Sequence, residues 1–358
     1  MGPNLIIDKS TFQGLSAAEH SLLGVLFKQG LPPVLGYEII ADLAKKSTGR
    51  RRMKKPPKEK VQELARKFHG SGPVVVVDYR TACLGNLNGT RVPMTGQLPV
   101  GHGTRHDHED GSWGLMIDLH PINRAIMRWS AGHFLTPEQV FAEGWRNQYK
   151  GLKPEAFRQR LHQERLVSRR VEHPSELRAA VDAVFDLDGH QQIWLEWLLD
   201  QLRVGTGRKA AIMGRWTLAG EPHLREYAPY AAHCVRSMLA LDIAVRSRLL
   251  KWNSTHIYDL QYLFYQPFCM VFASTDNLHR LLSPVLKRRN QDFLDGAVLK
   301  IELAALNAAD VGIGPSRVQG ELTPGQAAFK AAAPTIFQMH QDHLWGGAKG
   351  ARPTDSID

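Results

Sequence analysis

The sequence predicts an α/β fold with a large, mostly helical insertion. Three observations carry this reading. "NLIID", Asn4 to Asp8, is a short apolar run that reads as a buried strand ending in an acid. "FCMVFAS", Phe268 to Ser274, is a second such run, with Asp276 directly beyond it. Between them the periodicity is mainly helical, with cap and proline signals at the element boundaries.

Taken in order, a helix is expected from about Ala17 to Lys28, with Leu22, Leu23, Val25, Leu26 and Phe27 as its apolar positions. Pro32-Pro33 forms a turn, and a second helix follows from Val34 or Gly36 with Glu38 in its first turns. From Lys45 to Lys60 nine residues are basic, with Gly49, Pro56 and Pro57 among them, which predicts an exposed loop. A short helix and a strand through Val77 come next. The segment "NLNGTRVPMTGQLPVGHGTRHDHEDGSWG" lacks regular periodicity and reads as a long polar loop. Helices dominate from Pro121 to Val204, and a long one spans Tyr230 to Trp252. A helix then opens at Asp259 and is closed by Pro267, ahead of the second apolar strand. The chain beyond Lys300 is rich in Gly, Ala and Pro and is expected to be irregular, apart from a short helix at "IELAALNAA".

Composition narrows the class without choosing a function. The 358 residues are long enough for a sizeable core. A hydrophobic content of 43% and a charged content of 22% fit a soluble globular protein. Lys and Arg exceed Asp and Glu by 45 to 35, which favours anionic partners such as nucleic acid or phosphorylated ligands. The cysteines Cys83, Cys234 and Cys269 form no CxxC pair, so a reducing compartment is expected. No apolar run is long enough to span a bilayer, and no signal peptide is evident, so the expected location is cytoplasmic.

Asp8 and Asp276 each follow a predicted strand, Glu38 opens a helix, and Asp259 opens another. If the strands are parallel neighbours, these acids meet at the carboxyl edge of the sheet, where α/β proteins place ligand sites. Carboxylates gathered there would repel one another unless cations lay between them, and hard oxygen ligands suit Mg²⁺ or Mn²⁺. Each acid alone also reads as a helix cap or a first-turn carboxylate.

The pieces "LIID", "VLGYEIIADL" and "YDLQYLFYQPFCMVFASTD", with acids in the order Asp, Glu, Asp, Asp, resemble the PIN-domain family of metal-dependent nucleases. The resemblance implies a Rossmann-like (PIN-like) parallel sheet flanked by helices. It implies hydrolysis of phosphodiester bonds in RNA, or sometimes DNA, by a water activated on Mg²⁺ or Mn²⁺. Asp8, Glu38, Asp259 and Asp276 would be the catalytic and metal-binding residues. Ser274 would orient Asp276, and Asp242 is a candidate auxiliary acid, for which facing solvent or pairing with Arg246 at i+4 is the cheaper explanation. The PIN-like core would comprise residues 1–46 and 231–300, the insertion 47–230, and the irregular tail 301–358. Arg50, Arg51, Arg52, Lys54 and Lys55 are candidate phosphate contacts. RNA is the expected partner, with DNA as the alternative. An inhibitory or targeting protein and a second copy of the chain are further candidates; no membrane is expected. The alternative function is a PIN-like module that binds without cutting. A phosphatase-like hydrolase fits less well, because Asp8 is followed by Lys9 and Ser10 where a DxD pattern needs a second aspartate.

Overall fold

The computed structural model describes residues 2–45, 55–68, 73–100, 103–107, 112–117, 120–157, 170–187, 189–309 and 322–345. Its centre is a five-stranded, all-parallel sheet in the order β3-β2-β1-β6-β7. The strands are β1 (Asn4–Ile7), β2 (Lys28–Leu31), β3 (Val74–Val75), β6 (Val271–Ser274) and β7 (Asp292–Asp295). β4 (Gly103–Asp107) and β5 (Trp113–Ile117) form a separate antiparallel pair inside the segment read from sequence as a loop. Helices flank the sheet, and a large, mostly helical region separates β3 from β6. The α/β class expected from sequence is therefore the observed one.

Strand order decides where a ligand can enter. From β1 the chain steps outward through β2 to β3, then returns to pair β6 with the other side of β1. The direction of winding reverses between β1 and β6, and a crevice opens at such a reversal, beyond the carboxyl ends of the strands. Ile7 is in register with Ala273, and the Asp8 amide extends the ladder by donating to the Ala273 carbonyl at 3.2 Å.

β1 and β6 are completely buried, which explains their unbroken apolar runs. β2 was not foreseen, because "KQGL" carries no strand periodicity. Packing makes it a strand: a Cβ at Gly30 would lie 3.3 Å from Ile6 and 3.2 Å from Val76. β7 was also missed; only Leu294 of its four residues is fully buried.

The helical region is anchored to the core by polar side chains as well as apolar ones. The long helix Pro229–Arg246 has no cap from its own N-terminal residue. Asn86, from the helix Tyr79–Leu87, supplies it: its Oδ1 accepts from the amides of Tyr230 (2.9 Å) and Ala231 (3.2 Å). The tail bears out the short helix expected at "IELAALNAA", which lies within Gly296–Ala309, and corrects the expectation of irregular structure for residues 324–332 and 334–340. Helices Gly296–Ala309, Pro324–Ala332 and Pro334–His340 pack there, and buried Glu302 accepts from the amides of Thr335 and Ile336 at the start of the last one. Alanine-rich segments with proline at the first helical position are good helices once a partner buries their apolar side.

Gly296 begins the first of these helices beside the crevice. A Cβ there would collide with Thr11 Oγ1 and lie 2.7 Å from Thr275 Cγ2. Gly296→Ala is expected to cost about 1–3 kcal/mol through this overpacking. Urea unfolding of the variant checks it; wild-type stability would contradict the close approach.

Candidate functional site

The crevice at the β1/β6 reversal is a cavity of about 240 Å³ lined by Asp8, Glu38, Asp259 and Asp276, together with Asp42, Lys9, Lys60, Arg146 and Tyr262. All four acids singled out from sequence therefore border one cavity, although they come from four separate segments of the chain.

Asp8 follows β1 and caps the helix Lys9–Gly14; its Oδ1 accepts from the Thr11 amide at 3.0 Å, and Ser10 Oγ donates to its Oδ2. His279 Nδ1 lies 3.8 Å from Asp8 Oδ2. Burial alone would raise the Asp8 carboxyl, but His279, with Ser10 and Thr11, brings it down to about 2. Asp276 caps the helix Asn277–Leu286, and its Oδ1 accepts from the Leu278 amide at 2.7 Å. The helix cap and the site residue are thus the same side chain in both cases.

Glu38 lies in the helix Pro33–Ala41 and accepts a 2.5 Å hydrogen bond from the Tyr262 hydroxyl. Burial raises its carboxyl, and Asp8 and Asp42 add to the rise against the opposing pull of Lys9 and Tyr262. Asp259 is in the first turn of the helix His256–Phe264. Burial pushes its carboxyl up to about 8; His279 opposes the shift, while Asp276, Glu38 and Asp8 reinforce it. The proton is held chiefly because the carboxyl is buried, and the neighbouring acids add to that.

His279 had no role in the sequence reading. It is fully buried one turn past Asp276, with Phe272 and Tyr262 edge-on to its ring. Its Nε2 lies 2.8 Å from the Asp259 carbonyl, and its Nδ1 lies 2.7 Å from Ser274 Oγ. Burial would lower the imidazole, yet Asp8 and Asp259 bring it up to about 9. As an imidazolium it donates from both nitrogens, tying β6, the Asp259 helix and Asp8 together.

A second group missed from sequence lines the same cavity. Asp42 is 1% exposed and holds Lys9 Nζ at 3.1 Å, Lys60 Nζ at 2.8 Å and an Arg146 guanidinium nitrogen at 2.7 Å. Burial would raise Asp42, but Lys9 and Lys60 bring it down to about 2. Lys9 Nζ also donates to the Glu38 carbonyl at 2.6 Å, and burial depresses its own pKa despite Asp42 and Glu38. Asp42 was legible in principle, since it follows Glu38 by four residues and continues the same helical face. Arg146 belongs to the helix Thr136–Asn147 of the insertion, and no local pattern links it to Asp42.

Of the supporting residues, Ser274 is placed differently from expectation, while Asp242 takes its alternative reading as the i,i+4 partner of Arg246. Ser274 Oγ accepts from the Asp276 backbone amide at 2.9 Å and contacts His279, so it fixes the turn and the imidazole, with no bond to the Asp276 carboxylate. Asp242 is buried in the long helix, pairs with Arg246 at 3.0 Å and does not border the cavity. Arg50, Arg51, Arg52 and Lys54 lie outside the described residues. Lys55 is exposed and pairs with Glu63 at 2.7 Å. The aromatics Tyr262, Phe264, Tyr265 and Phe268 are core residues, as their flanking of a buried strand suggests.

Among the described residues, no three His, Cys, Asp or Glu side chains are grouped closely enough to enclose a metal ion. No helix among them is long and apolar enough to cross a membrane. The fold and cleft define a Rossmann-like α/β protein with an acidic crevice at its topological switch point. No family model, curated protein or solved structure matches the chain.

Proposed function

We propose that this protein is a PIN-like nuclease that hydrolyses phosphodiester bonds with the help of Mg²⁺ or Mn²⁺, with RNA as the first candidate substrate and DNA as the second. The observation that carries this is the meeting of Asp8, Glu38, Asp259 and Asp276 around one cavity at the switch point. The donor chemistry fits a hard divalent cation: all four side chains offer carboxyl oxygens, and a cation bound there would displace the proton that Asp259 holds to about 8. A closed cage is not required. Mg²⁺ commonly keeps several waters and takes one or two carboxylates plus substrate phosphate oxygens.

A cation bound there supplies an activated water and stabilises charge on the phosphate. The chain's own residues do the rest. His279 keeps Asp8 ionised and in place, and Tyr262 fixes the rotamer of Glu38. Lys9, Lys60 and Arg146 outnumber the single Asp42 they share, so this cluster carries surplus positive charge against which a substrate phosphate can rest.

One observation favours a second reading, a PIN-like module that binds nucleic acid or protein without cutting. Lys9 Nζ already places a protein cation beside Glu38 and Asp42. Incubation of generic single-stranded RNA and DNA with Mg²⁺ or Mn²⁺ separates the two. The nuclease is expected to cut, and Asp8→Asn and Asp276→Asn are each expected to reduce cleavage at least about a hundredfold. Calorimetric titration with Mn²⁺ gives an independent readout, with binding weakened in both variants. Failure of the wild type to cut or to bind Mn²⁺ leaves the binding module as the better account.

A further inference from the structure

A second cavity of about 1000 Å³ shares Asp276 with the acidic crevice, so the two spaces meet at one side chain. One wall is the turn Gly151 to Pro154 of the insertion, and the other is the segment Leu249 to Ser254 with His256. The start of the helix that Asp276 caps, including Asn277 and Leu278, forms the remaining side. Trp252 Nε1 donates to the Leu152 carbonyl at 3.1 Å, and the Trp252 ring packs on Phe157 and His256. The walls are therefore joined to each other, and the groove exists before anything enters it.

Its charge suits a polyanion. Lys153 and Lys251 are exposed on opposite walls, and Asp276, at the junction, is the only acidic lining residue among the described residues. The crevice is small enough to hold one phosphodiester linkage, while the groove is about four times larger. A strand with one phosphate at the carboxylates must continue somewhere, and one of those carboxylates, Asp276, also lines this groove.

The geometry points to this groove as the path of a single-stranded nucleic acid on one side of the phosphate held in the crevice, with Lys153 and Lys251 contacting its backbone. The inference rests on the nuclease reading for the direction of the strand and adds where the flanking nucleotides lie. Two lysines on opposite walls grip phosphates without reading bases, so the groove tolerates any sequence.

The test uses the full-length chain and two double variants. Lys153→Gln with Lys251→Gln removes the groove lysines; Lys300→Gln with Lys330→Gln removes equal charge from exposed positions that line neither cavity. All four residues are exposed, so folding is not at stake. Binding of single-stranded RNA and DNA of about ten nucleotides is measured by fluorescence anisotropy with Mg²⁺, in an Asp8→Asn background that leaves the strand uncut. The groove variant is expected to bind at least about threefold more weakly, and its log-affinity against log-salt slope is expected to be shallower by about 1.4, or about 0.7 per lost phosphate contact. The control variant should lose neither, and affinity for a dinucleotide should be unchanged, because it fills only the crevice. An unchanged slope, or an equal loss in the control, overturns the groove and leaves the nuclease reading untouched. A matching loss for the dinucleotide overturns it too, by moving the lysines' effect to the crevice. Groove-dependent binding by a chain whose wild type cuts nothing upholds the groove and refutes the nuclease.

Discussion

Asp42→Ala is expected to destabilise the fold by about 3 kcal/mol, because it strands cations whose common partner is buried. Lys9 is 17% exposed, Lys60 29% and Arg146 34%, against 1% for Asp42. Lys9 bears most of the cost, since water reaches its ammonium least and burial already depresses its pKa. Partial exposure of Lys60 and Arg146 screens their share, which places the estimate at the low end of the range for broken buried pairs. Arg146 Nε also donates to the Ala41 carbonyl at 2.6 Å, so the same change loosens the insertion helix from the core. Equilibrium urea unfolding provides the measurement. A loss under about 1 kcal/mol would mean that the three cations reach solvent once Asp42 is gone. Adding Lys9→Met to Asp42→Ala should recover part of the stability, which a purely steric effect would not allow.

In EDTA, the unfolding free energy is expected to fall as pH rises from about 4 to about 9, most steeply between about 6.5 and 8. His279 titrates at about 9 in the fold against an ordinary value of 6.5, and Asp259 at about 8 against 3.8. The folded state holds more protons than the unfolded chain in this window, so each group's contribution is fully present below its unfolded pKa and is lost as pH climbs through the folded one. Each proton of difference is worth about 1.4 kcal/mol per pH unit. Asp259→Asn removes one of the two and should exceed the wild type at pH about 8.5 by several kcal/mol, with a shallower profile. Mg²⁺ should diminish the variant's advantage, because a bound cation takes the place of the proton. Asp8 and Asp42, both held near 2, act in the opposite window: their contribution is present above about 4 and fades as pH falls toward 2. Unfolding curves at several pH values decide the matter, and identical profiles for wild type and Asp259→Asn would sink the assignment.

The legible part of the site is the part encoded by short-range signals. Asp8 and Asp276 could be read because a fully buried strand is an unbroken apolar run, and the acid ending it begins the next helix as its cap. Glu38 and Asp259 followed from helix starts near proline and polar boundaries. The same logic failed for β2, whose character comes from the close packing of Gly30 against Ile6 and Val76 and not from an apolar or alternating pattern along the strand. It failed for the last two tail helices, which depend on Glu302 and on burial against the core.

By itself, then, the sequence determined the α/β class, the two central strands and the four carboxylates that border the crevice, because apolar runs, prolines and caps act over a few residues. Only the tertiary structure decided which charges surround those carboxylates. His279 becomes an ion because the fold sets it beside Asp8 and Asp259, which outweigh the effect of burial, and Arg146 reaches Asp42 across a separation that no local pattern bridges. Strand order did the same for location: the reversal between β1 and β6 turns two separate helix caps into facing edges of one site.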